Sequence, residues 1–235
     1  MRPGCSYTER VTCVVCGIRK AKRQCPGVNG QICAICCGRE REESIDCPLG
    51  CEYLEEAHKH ERIAELDPST LPNQDIRVPE EFVEEHEWLL VLLSSAVVDG
   101  ALQAAATTDY DIRAGLESLI GTYRALQSGL IIEARPANPF AANIVDAVRA
   151  RVEEIRERMA AAPPETEVEV AAPMRLPDAT VLAIVVFLQR LEYSNNNGRK
   201  RSRAFLDFLL QFHVPGLDAE ESAETVDPEE PLIIL

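Results

Sequence analysis

All nine cysteines of this chain lie within its first 51 residues. Two Cys-x2-Cys pairs, Cys13/Cys16 and Cys33/Cys36, are separated by sixteen residues, a spacing typical of structural zinc sites. Few aliphatic side chains accompany them, and a small domain without an apolar core needs a metal or disulfides in order to fold. The sequence therefore predicts a small cysteine-rich zinc module over residues 1–60.

Three features of the sequence favour metal binding over disulfide bonding. The amino-terminal residues lack the apolar stretch of a secretory signal peptide, and the number of cysteines is odd. Cys36 and Cys37 are adjacent, which suits two metal sites better than a simple disulfide framework. We therefore expect a cytoplasmic protein, because a reducing cytosol keeps thiols free to bind metal.

The cysteines divide into two interleaved sets of four, which predicts two Zn²⁺ ions. Glycine follows a ligand at Gly17 and Gly38, where it allows a tight turn that directs backbone N–H groups at the sulfur. A site with four thiolates has no open position for water, so the expected metals are structural and not catalytic. The predicted first site consists of Cys13, Cys16, Cys33 and Cys36, and the predicted second site consists of Cys25, Cys37, Cys47 and Cys51.

The order of these ligands resembles that of the cross-brace zinc fingers, such as the HIT-type and B-box fingers. Those fingers usually have a histidine late in the ligand series, where this sequence has cysteine. The string from Ile32 to Gly38, followed by Cys47-Pro48 and Cys51-Glu52-Tyr53-Leu54, also resembles the cysteine-rich start of some uncharacterised bacterial proteins. The cross-brace resemblance implies a surface that contacts other proteins.

Two histidines follow the cysteines, in a segment that is predicted to leave the module as a helix. Glu55-x-x-His58 has the form of a di-iron ligand pair, but such sites take this motif from two helices together with two further glutamates. The sequence contains no second copy. A solvated helix with exposed His58 and His60 is therefore the favoured interpretation.

Helical periodicity dominates the rest of the chain, so the predicted fold class is mainly α, a zinc module followed by a helical bundle. Apolar residues recur at helical spacing in 80–106, 109–128 and 139–161. In the first of these helices, Ser95, Asp99 and Gln103 are expected to form a polar stripe, and Asp99-Gly100 is expected to end the apolar stretch.

The segment from Ala179 to Leu191 is apolar around nearly its whole circumference, which predicts a buried helix. It is too short to span a membrane. Its expected partner is a last helix over 202–212. The predicted organisation is a zinc module 1–60, a linker 61–79, a helical domain 80–162, a proline-rich linker 163–177, a C-terminal helical hairpin 178–213 that packs on the helical domain, and an acidic tail 214–235 with an apolar end.

Four cations precede or begin the last predicted helix, where the helix dipole disfavours positive charge. Anions bind helix amino termini, so this arrangement predicts a site for an anion or an acidic partner. The intramolecular alternative is that the acidic tail, Asp218–Glu230, folds back on the loop. The candidate residues are Arg199, Lys200, Arg201 and Arg203.

Charge divides the chain into two parts. Residues 1–51 carry eight basic and five acidic side chains, a net charge of +3, whereas the whole chain carries −15. The basic clusters 19–23 and 199–203 therefore suggest a nucleic-acid-binding regulator as an alternative function. Against it, Arg19, Lys20, Lys22 and Arg23 are also placed to neutralise the thiolates, and the acidic remainder would repel phosphate.

The sequence contains no phosphate-binding loop, nucleophile elbow or paired acid and base, so we expect no catalytic residue, no enzyme activity and no small-molecule substrate. The favoured function is a zinc-binding adaptor or regulatory protein with a protein partner and no membrane association. A second alternative is a thiol redox sensor that releases zinc when its cysteines are oxidised.

Overall fold

A computed structural model describes residues 11–61, 68–131, 135–161 and 175–213. It confirms the predicted mainly α architecture, with short strands only in the cysteine-rich segment of the described chain. Cys5, most of the predicted linker 163–177 and the predicted acidic tail lie outside the described residues. None of the described helices is long and apolar enough to cross a membrane.

The described part of the zinc module, residues 11–61, contains a two-stranded hairpin and two short helices. β1 (Arg23–Cys25) and β2 (Gly30–Ile32) pair antiparallel, and α1 (Ala34–Glu40) and α2 (Glu52–His60) follow. Its buried apolar cluster consists mainly of cysteines, to which only three larger side chains add in the described residues: Ile32, Ile45 and Leu54. So small a core agrees with the prediction that apolar burial alone cannot hold this module.

The described helical body is a bundle with one continuous apolar core. Its helices are α3 (Glu80–Glu85), α4 (Glu87–Leu102), α5 (Asp109–Gln127), α6 (Pro139–Ala161), α7 (Asp178–Asn195) and α8 (Ala204–Leu210). α4 packs on α6, α5 packs on α6 and α7, and α8 contacts α4 and α7. Burial is deepest along α4, α5 and α7, as their apolar periodicity predicts.

The predicted helix over 80–106 is two helices in the structure. α3 ends and α4 begins around His86, whose φ of −115° and ψ of 23° interrupt the helical path. The predicted polar stripe is also only partly correct. Ser95 is buried in the core, while Asp99 and Gln103 are exposed.

Gly100 does not end the apolar stretch, because α4 continues to Leu102. A Cβ atom at Gly100 would lie 2.7 Å from the Cα atom of Ile144 in α6. A Cβ atom at Gly115 in α5 would lie 3.2 Å from the Ile144 Cβ atom. The two glycines therefore allow α6 to approach α4 and α5 closely.

The described part of the predicted linker 61–79 is fixed to the body. Arg190 of α7 donates from Nη2 to the carbonyl oxygens of Asn73 and Ile76, at 2.7 Å and 2.8 Å. Arg124 of α5 donates to both carboxylate oxygens of Asp75, at 2.7 Å and 2.8 Å. Residues 73–76 of the predicted linker therefore lie against the bundle.

Candidate metal centre

The first predicted cysteine set is brought together as a four-sulfur site. The Sγ atoms of Cys13, Cys16, Cys33 and Cys36 all lie within 4.8 Å of one another. Two loops supply them: the turn after β-bridge residue Thr12, and the end of β2 leading into α1. The hairpin joins these loops, since the backbone N–H of Val14 donates to the carbonyl oxygen of Gln31 at 3.0 Å.

Gly17 makes the turn in the first loop, with a φ of 66° that favours glycine. Its own N–H donates to the Cys13 carbonyl oxygen at 2.7 Å, so it does not reach a sulfur. The next two residues do, because the N–H groups of Arg19 and Ile18 bond to Cys16 and lower the pKa of its thiol. The prediction for Gly38 is wrong in one respect: this residue lies within α1 and needs no positive φ.

The second loop prepares its sulfurs in a similar way. The backbone N–H of Cys36 donates to the Cys33 Sγ atom at 3.4 Å, and this bond lowers the pKa of the Cys33 thiol. Burial, together with the neighbouring cysteine sulfurs, raises the pKa of Cys36 to about 12. Four thiolates this close together repel one another unless a cation neutralises their charge. A divalent ion would supply that charge.

Arg19 provides part of the neutralising charge, as the sequence suggested. Its guanidinium bonds to the Cys33 sulfur, and this contact raises the pKa of Arg19. Lys20 and Lys22 remain exposed at the surface. Arg23 turns instead to the second cysteine set, where its Nη1 atom donates to Cys37 Sγ at 3.3 Å.

The donor set fits one zinc ion. Four soft sulfur ligands close to one another are typical of structural Zn²⁺, and none of the eight described cysteines is in a disulfide. The ion would replace a missing apolar core by joining the two loops. Because all four ligands come from protein, no coordination position is left for a water or a substrate.

The second predicted set lines a single small cavity of about 10 Å³. Cys25, Cys37 and Cys47 are buried and Cys51 is partly buried. In the described residues, however, no three of these sulfur atoms meet the 4.8 Å mutual distance of the first site. The structure therefore brings the second set to one place without the close spacing of a formed site.

His58 is not the exposed residue that the sequence predicted. It is nearly buried, with Nδ1 at 2.9 Å from Asp207 Oδ2 and Nε2 at 3.1 Å from Glu42 Oε2. Burial lowers the pKa of His58, but the bonds to Asp207 and Glu42 outweigh it and raise the pKa to about 10. His58 is therefore an imidazolium that joins the zinc module to α8. His60 is exposed, as expected, and contacts Glu56.

Glu42 is the centre of this junction and is fully buried. Its carboxylate accepts hydrogen bonds from the His58 ring, from Asn197 Nδ2 at 2.8 Å and from the backbone N–H of Arg203 at 2.7 Å. Burial raises the pKa of Glu42, but these donors outweigh it and hold the pKa below its usual range. Two of these donors, Asn197 and Arg203, belong to the segment before α8 and connect the module to it.

Glu42, His58 and Glu61 also place their ligand atoms within 4.8 Å of one another. Asn197 Nδ2 already donates to both glutamates, at 2.8 Å and 3.0 Å. The imidazolium of His58 balances much of their charge. Hydrogen bonds and ion pairs within the chain therefore satisfy this group without a metal.

The predicted anion-binding cluster is divided by the fold. Arg203 is buried, and its guanidinium donates to the carbonyl oxygens of Thr107, Ala105 and Cys47 and to the Asp46 carboxylate. It has no face left for an external ligand, so its assignment to that cluster is wrong. Arg199 also turns inward, donating to the Arg41 carbonyl oxygen at 2.6 Å.

Lys200 and Arg201 remain exposed, and anion or partner binding by these two residues stays a prediction. Arg201 lies 3.7 Å from Asp46. In the structure, the acids that pair with the cations of this loop come from the zinc module: Asp46 pairs with Arg201 and Arg203, and Glu61 lies 3.8 Å from Arg199. The predicted alternative, the tail Asp218–Glu230, lies outside the described residues.

The amino end of α8 already has its anion. Asp109, the first residue of α5, accepts hydrogen bonds from the backbone N–H groups of Phe205 and Leu206 at 3.0 Å and 3.1 Å, and from the Ser202 hydroxyl. Burial raises the pKa of Asp109 to about 6 against these bonds. A carboxylate from a distant helix thus occupies the amino end of α8, where the helix dipole favours negative charge.

Sequence reasoning missed Glu42 and Asp109 because neither lies in a motif. Glu42 is one of several charges between Arg39 and Asp46, and Asp109 occupies a first helical turn where acids are common. The only usable signal was the uncompensated positive charge before α8, which indicated that an acid had to come from elsewhere.

The chemistry of this centre follows from its own donor atoms, since four sulfur ligands suit a structural zinc ion. No model of a known protein family, no curated protein and no solved structure matches the chain.

Proposed function

We propose that this protein is a non-enzymatic adaptor whose zinc module binds a protein partner. The observation that carries the proposal is an exposed apolar surface around the first cysteine site. Ile18 is 85% exposed, and Val14 and Ile35 are each 58% exposed. Isolated exposed apolar residues are ordinary, but a group of them on a small module is typical of a contact surface.

The metal site explains why these residues are grouped. Val14 lies between Cys13 and Cys16, Ile18 follows them, and Ile35 lies between Cys33 and Cys36. Since all four cysteines converge on one point, the apolar residues in and beside the two loops are held around the same ion. The zinc would therefore fix the shape of the surface as well as the fold of the module.

Basic side chains surround this surface. Arg19, Lys20 and Lys22 are exposed on the same module. The side chain of Arg39, in α1, is 71% exposed. The complementary partner is a protein with an apolar cleft and an acidic rim, because opposite charges at a rim guide association. A closed four-sulfur site supports a structural role for the metal and gives no position for catalysis.

Variants of the intact chain that introduce a charge on this apolar surface test the proposal. Affinity capture from a lysate of the source cells, followed by mass spectrometry, should recover a partner with the wild type. Ile18→Asp combined with Ile35→Asp should reduce its recovery at least about tenfold, as expected when an apolar anchor is lost. Ile131→Asp is the matched control. Ile131 is 91% exposed and follows α5, so it is far in sequence from the two cysteine loops.

Equal recovery of every captured protein by the wild type and the Ile18/Ile35 variant would contradict the proposal, provided that both chains hold the same amount of zinc. Loss of recovery with Ile131→Asp as well would show a general effect of added charge and would equally count against it.

Nucleic-acid binding stays a prediction, and fewer of the predicted basic residues remain free to contact phosphate. Arg199 and Arg203 are engaged within the chain, which leaves Lys20, Lys22 and the exposed Lys200 and Arg201. A gel shift at low salt measures it directly, since phosphate contacts weaken steeply as salt rises. The redox-sensor alternative likewise stays a prediction.

A further inference from the structure

We propose that Cys25, Cys37, Cys47 and Cys51 bind a second Zn²⁺ ion, and that this ion holds the loop on which the helical body docks. The four residues come from different elements: the end of β1, the middle of α1, the loop after Ile45, and the residue that precedes α2. All four line one cavity. Convergence of four cysteines from separate segments is the arrangement expected of a structural thiolate site.

The surroundings of the cavity resemble a metal site more than an ordinary core. Its other lining includes three buried apolar side chains, Ile32, Ile45 and Leu54. Arg23 places its Nη1 atom 3.3 Å from Cys37 Sγ, and its guanidinium lies 4.3 Å from the centre of the Tyr53 ring. A guanidinium in this position would offset part of the negative charge that four thiolates around one divalent ion carry.

The ordinary alternative is that these cysteines act as small apolar side chains. Four buried or half-buried thiols contribute little apolar area, and only three larger buried residues accompany them, with Val28 and Tyr53 partly buried beside them. A module of this size would then depend on the first metal alone. A second ion would connect β1, α1, the loop and α2 at one point.

Metal binding requires the sulfur atoms to move closer together than the structure shows, since the second set lacks the 4.8 Å mutual spacing of the first. The cavity has a volume of about 10 Å³, which is roughly the space that one water-sized sphere needs. Rotation of cysteine side chains between staggered positions moves their sulfurs without moving the backbone. We expect binding of the ion to draw the four sulfurs together in this way.

The loop between Cys37 and Cys47 carries the residues that receive the helical body. Arg203 donates three hydrogen bonds to it. Its backbone N–H donates to the Glu42 carboxylate, its Nη2 atom donates to the Asp46 carboxylate at 2.7 Å, and its Nη1 atom donates to the Cys47 carbonyl oxygen. Two of the proposed ligands thus lie at the two ends of this loop. Fixing both ends to one ion would hold Glu42 and Asp46 where Arg203 meets them.

Metal stoichiometry of the purified, reduced full chain tests the proposal. Elemental analysis should give two zinc ions per chain. Cys47→Ser combined with Cys51→Ser should lower the ratio to one, and Cys13→Ser combined with Cys33→Ser is the matched variant that should also retain one. Metal content is measured without any partner. The second-zinc proposal can therefore be wrong while the adaptor proposal stands, and the adaptor proposal can be wrong while the second-zinc proposal stands.

Alkylation of the wild type decides the case even if a variant fails to fold. With zinc bound, Cys25, Cys37, Cys47 and Cys51 should resist iodoacetamide as strongly as the first set, and a chelator should expose both sets. A ratio of one zinc per chain, or rapid alkylation of the second set while the first stays protected, would overturn the proposal. Iron in place of zinc would overturn it as well.

Hydrogen exchange gives the independent readout of docking. In Cys47→Ser/Cys51→Ser, amide protection should fall in α8 and in residues 199–203, while α5 and α6 keep theirs. Unchanged protection of α8 in a variant that has lost one zinc would disprove the role of the ion in docking.

Discussion

The carboxylate of Glu42 accepts a hydrogen bond from the backbone N–H of Arg203 at 2.7 Å, across 161 positions of sequence. Both residues are buried, and both belong to segments that sequence patterns describe as charged and exposed. The bond links the cysteine-rich module to the end of the helical body. The two parts therefore form a shared polar interface, in which each buried charge meets several partners.

Replacing Arg203 tests how much this interface contributes to stability. Arg203→Met would keep the approximate length of the side chain but remove donors to the carbonyl oxygens of Thr107 and Cys47 and to Asp46. Buried acceptors left without partners are costly, so we expect a loss of about 3–5 kcal/mol in the free energy of unfolding. Urea denaturation followed by circular dichroism measures it.

Arg201→Met is the matched control, because the Arg201 side chain is half exposed and its contact with Asp46 is long, at 3.7 Å. It should change the free energy of unfolding by about 1 kcal/mol or less. Equal effects of the two substitutions would disagree with a buried structural role for Arg203.

Stability should fall as pH rises through the range in which His58 loses its proton. The pKa of His58 is raised to about 10 in the folded chain, whereas an unfolded histidine titrates near pH ~6.5. The folded state therefore holds the proton more tightly, so this contribution is complete below about pH 6.5 and is lost between there and about pH 10. Unfolding free energies measured across that range should show the decline.

Other groups also titrate there, so the comparison is with His58→Gln, in which the decline should be smaller. His60→Gln provides the control, since His60 is exposed and contacts only Glu56 among the described residues. Identical pH profiles for the wild type and His58→Gln would exclude the proposed imidazolium.

Asp109→Ala should destabilise α8 although the substitution lies in α5. It removes the acceptor for the N–H groups of Phe205 and Leu206 and for the Ser202 hydroxyl. Loss of a helix cap costs about 0.5–2 kcal/mol, and the buried donors left behind raise this toward about 3 kcal/mol. Ser202→Ala, which leaves both backbone bonds in place, should cost less. Thermal denaturation of both variants would show the order, and the reverse order would contradict it.

Gly100→Ala tests the close approach of α4 and α6. The added methyl group would lie 2.7 Å from the Cα atom of Ile144 and 2.9 Å from the Asn143 carbonyl oxygen. Both are backbone atoms, so the helices would have to separate, at a cost of about 1–3 kcal/mol. The loss should appear as a lower midpoint in urea.

Gly38→Ala is the corresponding control in a helix, because nothing lies within 4 Å of a Cβ atom there. It should be neutral or stabilise by up to about 1 kcal/mol through helix propensity. A stable Gly100→Ala variant with an unchanged midpoint would mean that α4 and α6 tolerate separation.

Much of the fold could be predicted from local pattern. The periodic apolar residues of α5 and α6 place these helices within one residue of their observed ends, since an amphipathic helix must bury its apolar side. The Cys-x2-Cys spacing likewise indicated which four sulfurs would meet, because each pair is close in sequence and needs only one long-range contact to complete the site.

The interface between module and body could not be predicted in this way. Glu42, His58 and Arg203 each look like ordinary surface charges, and their burial depends on partners more than a hundred residues away. Gly100 shows the same limit in the core: a glycine before a helix end suggests termination, and only the position of Ile144 shows that it permits contact.

By itself, the sequence determined the helices, the cysteine-rich module and the first sulfur site, because periodicity and short ligand spacing act over a few residues. Tertiary structure alone decided that Arg203 meets Glu42 and Asp46 of the module, and that Asp109 accepts hydrogen bonds at the amino end of α8. The physical reason is that a buried charge is stable only beside its counter-charge, and which segments meet is settled by packing of the whole chain.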